Sequence, residues 1–359
     1  MQANISLTME VPEFIRPNFI KLTPYSSARD EYSGREGTFL DANENPFQSV
    51  TGEDFNRYPD PYQWACKEKL AAIKGVSPEN IFLGNGSDEA IDLLIKITCE
   101  PKKDNILILP PTYGMYKVCA DIQEVFVQEA PLTDDFAIDL DTVFDAVNSA
   151  TKIIWVCSPN NPSGNLADRH AILQIVKAFP HKMVVVDEAY MDFSDQPSFL
   201  SELDSYPNLV VIQTFSKAWG MAGLRIGSAY AHREIIKILN KVKYPYNINQ
   251  LTQAKLLESL QNEARKDSYV KEILALRESL KKELEALEIT EKVFPSDSNM
   301  LLVRFKKAKE LFRFLMENKI IVRDRTNVIL CKDCLRITVG TAQENERLME
   351  HIKLFEKTK

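Results

Sequence analysis

The chain has 359 residues, 45% hydrophobic and 26% charged, the composition of a soluble globular protein long enough for roughly two domains and a substantial core. Its formal net charge of −7 argues against a nucleic-acid partner, which usually demands a basic face. No apolar run approaches the roughly 18 residues of a membrane span and no basic start precedes an apolar leader, so no membrane association and a cytoplasmic address are expected, with the six cysteines as free thiols.

Residues 1–35 carry prolines at 12, 17 and 24 without sustained periodicity and are expected to form an extended N-terminal arm. Over residues 36–245, strand and helix patterns alternate. Segments 106–109, 124–128, 153–157, 183–187 and 209–213 are the clearest strands. This alternation predicts an α/β fold, with a mainly parallel central sheet in a large domain and helices on both faces. A helical stretch from Thr252 to about Leu287 follows, and residues 246–359 are expected to form a smaller α/β domain whose last helix carries Leu348, Ile352 and Phe355. Within it, Cys331-Lys-Asp-Cys334 lies between strand patterns at Val328-Ile-Leu330 and Leu335-Arg-Ile-Thr-Val339 and predicts a hairpin turn. A second cysteine pair for zinc is missing, and the four histidines are not spaced as a metal pair.

Four segments carry chemistry. Ile81-Phe-Leu-Gly84-Asn-Gly86-Ser87-Asp88 passes from a short strand through two glycines into an amphipathic helix with Ile91, Leu94 and Ile97 at helical spacing. Free N–H groups and the helix dipole make such a start an anion site, although Glu89 stands where the third glycine of G-x-G-x-x-G belongs and a plain tight turn is the default reading. Lys152-Ile-Ile-Trp-Val-Cys157 runs into Ser158-Pro-Asn-Asn161-Pro-Ser-Gly164, where turn chemistry explains the prolines and glycine but not two adjacent asparagines. Lys182-Met-Val-Val-Val-Asp187 is a continuous apolar run, as a strand covered on both faces requires, with a carboxylate at its end. It would also suit the magnesium strand of a P-loop nucleotidase, but no G-x-x-x-x-G-K-[ST] occurs. Leu209-Val-Val-Ile-Gln-Thr214-Phe-Ser216-Lys217 ends an apolar strand in hydroxyls and a lysine, with Arg225 eight residues on. An ammonium taken from water needs a partner or loses its proton, and imine chemistry uses the neutral amine. Ligands of open α/β sheets lie beyond the carboxyl ends of such strands.

An amine, a carboxylate, an amide donor and a phosphate cradle form the set that pyridoxal phosphate asks for. In order and spacing these segments resemble the fold-type I pyridoxal-phosphate aminotransferases over nearly the whole chain. Within them, the histidinol-phosphate aminotransferases are resembled through Ile15-Arg-Pro-Asn18, Leu22-Thr-Pro-Tyr25-Ser-Ser-Ala-Arg29, Leu40-Asp-Ala-Asn43-Glu-Asn-Pro46, Arg57-Tyr58-Pro-Asp60 and Leu335-Arg336-Ile-Thr-Val-Gly340.

The resemblance implies pyridoxal 5'-phosphate as cofactor, with Lys217 as its Schiff-base lysine and proton carrier, and Asp187 opposite the pyridine nitrogen. Tyr190 and Asn161 would hydrogen-bond the ring hydroxyl, and Tyr113 would stack on the ring. Ser87, Asp88, Thr214, Ser216 and Arg225 would hold the phosphate, joined by Tyr58 from the other subunit of a homodimer with shared sites. Tyr25, Asn43, Arg323 and Arg336 would line the substrate pocket. The implied reaction moves the amino group of L-histidinol phosphate to 2-oxoglutarate, giving imidazole acetol phosphate and glutamate in histidine biosynthesis. An aromatic or other amino-acid aminotransferase, a threonine-phosphate decarboxylase and a catalytically silent pyridoxal-phosphate-binding homologue are the competing readings. In the family the arm lies with the small domain.

Overall fold

The structure is a computed structural model and describes residues 12–24 and 37–358. Tyr25 and most of the expected arm lie outside the described residues. Within the arm's described part, Pro17 opens a short helix, α1 (Pro17–Lys21), because its fixed φ suits a first helical turn. Phe14 and Ile15 are buried against the large sheet's core, and the Arg16 guanidinium donates to Lys96 O (3.0 Å) and pairs with Glu100 (2.9 Å).

Next come α2 (Trp64–Lys74), β1 (Ile81–Asn85), α3 (Gly86–Thr98), β2 (Asn105–Ile108), α4 (Met115–Ile122) and β3 (Phe126–Glu129). They are followed by α5 (Leu140–Ala146), β4 (Thr151–Cys157), α6 (Arg169–Ala178), β5 (Met183–Asp187), β6 (Leu209–Thr214), β7 (Ile226–Ala231) and α7 (Arg233–Val242). The seven strands form one sheet in the order β1-β7-β6-β5-β4-β2-β3. Only β7 runs against its neighbours, as expected of a mainly parallel sheet. The central strands are apolar through their middles, Ile153–Val156, Met183–Val186 and Leu209–Ile212, because both faces are covered. Ile154, Val156, Val184, Val186, Leu209 and Val211 pack into a core on one face, while Ile153, Trp155, Met183, Val185, Val210 and Ile212 pack into the core on the other.

The helical stretch predicted from Thr252 to about Leu287 is two helices, α8 (Gln250–Ser259) and α9 (Glu263–Glu285). The interruption lets Leu256 and Leu260 remain in the large core while Leu280 and Leu284 enter a separate one. Beyond it, β8 (Thr290–Val293), β9 (Met300–Phe305), α10 (Ala308–Glu317), β10 (Arg323–Asp324), β11 (Cys334–Thr338) and α11 (Ala342–Thr358) complete the chain. The four strands make an antiparallel sheet ordered β10-β11-β9-β8. Leu311 and Leu315 of α10 and Leu348, Ile352 and Phe355 of α11 cover it.

The Cys331–Cys334 turn differs from expectation. Residues 328–330 form no strand, and β11 pairs instead with β10. Val328 and Leu330 pack side-on against the large core, and Cys331 and Cys334 are fully buried in it. Burial raises both thiols, Cys331 to about 12. The two sheets thus share apolar contacts, among them Phe136 edge-on to Phe294 at 5.1 Å.

Candidate active site

Because β1, β4, β5 and β6 are parallel to one another, their carboxyl ends lie at one edge of the large sheet. Their following loops wall a cavity of about 680 Å³, closed on another side by residues of the small sheet. All four chemical segments therefore meet there.

The first wall is the start of α3. The side chain of its N-cap Asn85 does not cap the helix, so the first N–H groups, including those of Ser87 and Asp88 at the cavity, are available to an anion. Two glycines permit this geometry. Gly86 has φ +70°, and a Cβ there would lie 2.7 Å from Arg225 Nη2. A Cβ on Gly227 would overlap the backbone N of Ser87. Arg225 is itself left-handed (φ 51°) and its carbonyl accepts from Gly86 N at 2.9 Å. Its Nη2 lies 3.4 Å from Asp88 Oδ2, while Asp88 Oδ1 accepts from Tyr113 Oη at 3.1 Å. The hydroxyls of Thr214 and Ser216, 3.0 Å apart, line the same end.

Asp187 is fully buried in the floor, and burial raises its carboxyl to about 6. Tyr116 Oη donates to it at 2.5 Å, and Ala189 N donates at 3.0 Å. Tyr116 stacks on Trp155 with centroids 4.6 Å apart and meets Tyr113 edge-on at 5.7 Å. The adjacent Glu188 accepts instead from Phe199 N, Ser198 Oγ and Gln213 Nε2, a structural role outside the cavity wall.

Lys217 reaches into the cavity, its Nζ 5.6 Å from the centre of the buried Tyr190 ring. Removal from water by the surrounding walls, then the Arg336 charge, lower its pKa, against Asp187 and Asp88. Among the described residues, no hydrogen bond or ion pair engages its ammonium. Burial also raises the Tyr190 phenol.

The two asparagines divide their work. Asn160 ties the loop down through Pro111 O (2.9 Å) and Ser163 Oγ (2.8 Å), whereas Asn161 Oδ1 accepts from Arg336 Nη1 at 2.5 Å. Arg336 alternates with the buried Leu335 and Ile337 and so faces the cavity, where its Nε is buried without a partner. Burial lowers its pKa, with Arg323 adding to the effect. Arg323 lies directly across the strand pair from Arg336, and it also lines the cavity.

Of the expected residues, Tyr25 lies outside the described residues. Asn43 is exposed and Tyr58 stacks on Tyr246 at 4.4 Å, and neither lines the cavity. Two residues were missed. Tyr116 reads as an ordinary core aromatic, and only its place three residues after Tyr113 hints at a shared face. Arg325 lines the cavity, and its alternation with Arg323 was available as a signal.

The arrangement can hold an anion at α3, a heteroaromatic ring over Asp187, a carbonyl at Lys217 and a second anion at the arginines. The family model of aminotransferases of class I and II matches residues 31–352. The chain is 53% identical to the histidinol-phosphate aminotransferase of Cytophaga hutchinsonii, covering 97% of this chain and 100% of that one. Identity to the enzyme of the same name from Parabacteroides distasonis is 50%, covering 96% and 98%. In fold it resembles the crystal structure of histidinol-phosphate aminotransferase from Clostridium acetobutylicum, with TM-score 0.79, 24% identity and coverage of 85% and 92%. The structure of the Sinorhizobium meliloti protein in complex with pyridoxal-5'-phosphate is similar too, with TM-score 0.78, 22% identity and coverage of 85% and 84%.

Proposed function

This chain belongs to the aminotransferases of class I and II, and from that premise we propose that it transfers the amino group of L-histidinol phosphate to 2-oxoglutarate. The products are imidazole acetol phosphate and L-glutamate, and the reaction is a step of histidine biosynthesis. The carrying observation is one cavity in which the Lys217 amine stands between two anion sites, the α3 cradle and the Arg323/Arg336 pair. A panel assay of the purified protein with histidinol phosphate, phenylalanine, tyrosine and threonine phosphate tests it. A preference for any donor other than histidinol phosphate overturns it, and release of carbon dioxide from threonine phosphate would identify a decarboxylase.

The residues present fit pyridoxal 5'-phosphate. The uncapped α3 start, the glycines that bring it close to β7, and Arg225 with the Thr214 and Ser216 hydroxyls provide donors for a phosphate dianion. Arginine suits such a dianion because its fork grips two oxygens. Pyridoxal 5'-phosphate supplies a carbonyl that condenses with amines and a ring that withdraws electrons from the bond being broken. Asp187, oriented by the Tyr116 hydroxyl, would face the ring nitrogen and hold a proton there. Tyr190 and Asn161 would hydrogen-bond the ring hydroxyl, and Tyr113 would cover one ring face. Lys217 would anchor the cofactor through its Nζ, and its lowered pKa suits the free amine to take the proton from the substrate carbon.

One pocket must then accept a phosphate in one half-reaction and a carboxylate in the other. Arg336 serves both as a bidentate donor, while Arg323 assists with the phosphate. Tyr25 and Asn43 complete the substrate pocket in the assembled enzyme. The assembly is a homodimer in which Tyr58 reaches the partner's cofactor phosphate, a reading supported by the half-exposed position of Tyr58 away from its own cavity. Residues 1–35 act as an arm, 36–245 as the cofactor domain and 246–359 as the substrate-closing domain, in a cytoplasmic enzyme. Among the described residues, no helix is long and apolar enough to cross a membrane.

A further inference from the structure

Three guanidiniums, those of Arg323, Arg325 and Arg336, line the cavity besides Arg225 of the α3 cradle. Arg325 follows β10, with its N donating to Cys334 O at 3.1 Å, so it continues the strand alternation on the side of Arg323. Its Nη1 donates to the carbonyl of Asp324 at 3.1 Å, while the Asp324 carboxylate accepts from Thr326 N at 2.8 Å. Among the described residues, no carboxylate pairs with Arg323, Arg325 or Arg336. Arg323 and Arg336 are direct cross-strand partners, and like charges so placed repel. Partial burial and the two neighbouring arginines lower the pKa of Arg325.

Such a cluster is under-neutralised, and the number of charges an incoming anion carries decides how well it is satisfied. A carboxylate has one charge and two oxygens, which the Arg336 fork can engage alone. A phosphomonoester has up to two charges and three free oxygens, enough for further guanidiniums. We propose that Arg325 is a specificity-determining residue, making the amino-donor half-reaction select a phosphomonoester dianion over a carboxylate or an uncharged side chain. The proposal rests on the reaction assigned above.

The test follows each half-reaction separately in the holoenzyme, through spectral conversion between aldehyde and amine forms of the cofactor. In Arg325→Gln, kcat/KM for histidinol phosphate falls about tenfold to a hundredfold, the effect of losing a charge-assisted hydrogen bond. The glutamate and phenylalanine half-reactions change by less than about threefold. Arg325→Lys, which keeps the charge but loses the fork, shows a smaller loss in the same direction. It supplies the comparison if the glutamine variant does not retain cofactor. A second readout is pH. The phosphate gains its second charge near pH 6, so KM for histidinol phosphate in the wild type falls between pH 5.5 and 7.5. That fall is blunted in Arg325→Gln. Around Arg325 stand Arg323 and Asp324 on β10, Arg336 on β11, Cys331 before it, and Tyr190 from the facing wall, whose phenol burial raises well above this window. Burial lifts the Cys331 thiol above this window. Equal losses with both substrates, or no loss with histidinol phosphate, overturn the role of Arg325. A wild-type enzyme inactive on histidinol phosphate overturns the parent reaction and with it this proposal.

Discussion

Replacing Gly227 by alanine tests the anion cradle without removing any polar group. The added Cβ would overlap Ser87 N and Gly86 C and lie 2.9 Å from Gly86 O. All three are backbone atoms, so no side chain can rotate away, and β7 and the α3 start must separate by about 1 Å to reach van der Waals contact. Overpacking of this kind costs about 1–3 kcal/mol of stability. The larger effect is on ligand geometry, since the N–H groups of Ser87 and Asp88 then stand off from Thr214, Ser216 and Arg225. Losing one charge-assisted hydrogen bond to a phosphate weakens binding by about 1.5–3 kcal/mol, roughly tenfold to a hundredfold. The assay is the dissociation constant of pyridoxal 5'-phosphate from apoprotein by absorbance, alongside pyridoxal, which lacks the phosphate. We expect the phosphate ester to lose at least about tenfold in affinity and pyridoxal to lose little. Wild-type affinity for pyridoxal 5'-phosphate in a folded Gly227→Ala protein would refute the cradle.

The apoprotein should also respond to Asp187→Asn in a pH-dependent way. Burial raises Asp187 to about 6 in the fold, so ionising it opposes folding: the penalty is absent below the unfolded pKa near 4, grows between the two values and is complete above 6. Asp187→Asn should therefore raise the apoprotein's Tm at pH 7.5, by on the order of 2–3 kcal/mol of stability, but not at pH 3.5; a gain independent of pH would dismiss the titration. For Tyr58, mixing inactive Lys217→Ala and Tyr58→Ala chains should restore activity through hybrid dimers, and a fully active monomer in solution would end that assignment.

The cavity floor was legible from sequence because its residues break a pattern. Asp187 and Lys217 follow apolar runs of the kind a two-faced sheet needs, and Gly84 and Gly86 mark the passage into α3, whereas the need for glycine at 227 shows only in the structure. Tyr116 was illegible for the opposite reason. A buried tyrosine on a helix breaks no pattern, and its bond to Asp187 spans 71 positions. The segment 328–330 misled because an apolar run fits a loop packed on a core as well as a strand; what pairs with β11 is the polar Arg323–Asp324. Arg325 was readable from the same alternation that places Arg323, once β10 had been located. Asn43 and Tyr58 rest on resemblance alone, since a single chain does not bring them to the cavity.

The shared core beneath the arginines limits how this enzyme can close. Phe294 and Leu302 of the small sheet, with Cys331 and Cys334 below Arg325, are buried among side chains of the large sheet's core. Asp297 N donates to Gly164 O at 2.7 Å, and its carboxylate accepts from Leu166 N at 2.9 Å. Swinging the small sheet outward would strip Phe294 from Phe136 and wet apolar side chains whose burial contributes about 1.5–3 kcal/mol each. Sliding along that contact exposes little. A movement of the small sheet against the large one would therefore cost less as a shear of packed layers than as an outward hinge, and ångström-scale travel would change the distance of Arg323, Arg325 and Arg336 from the rest of the cavity wall.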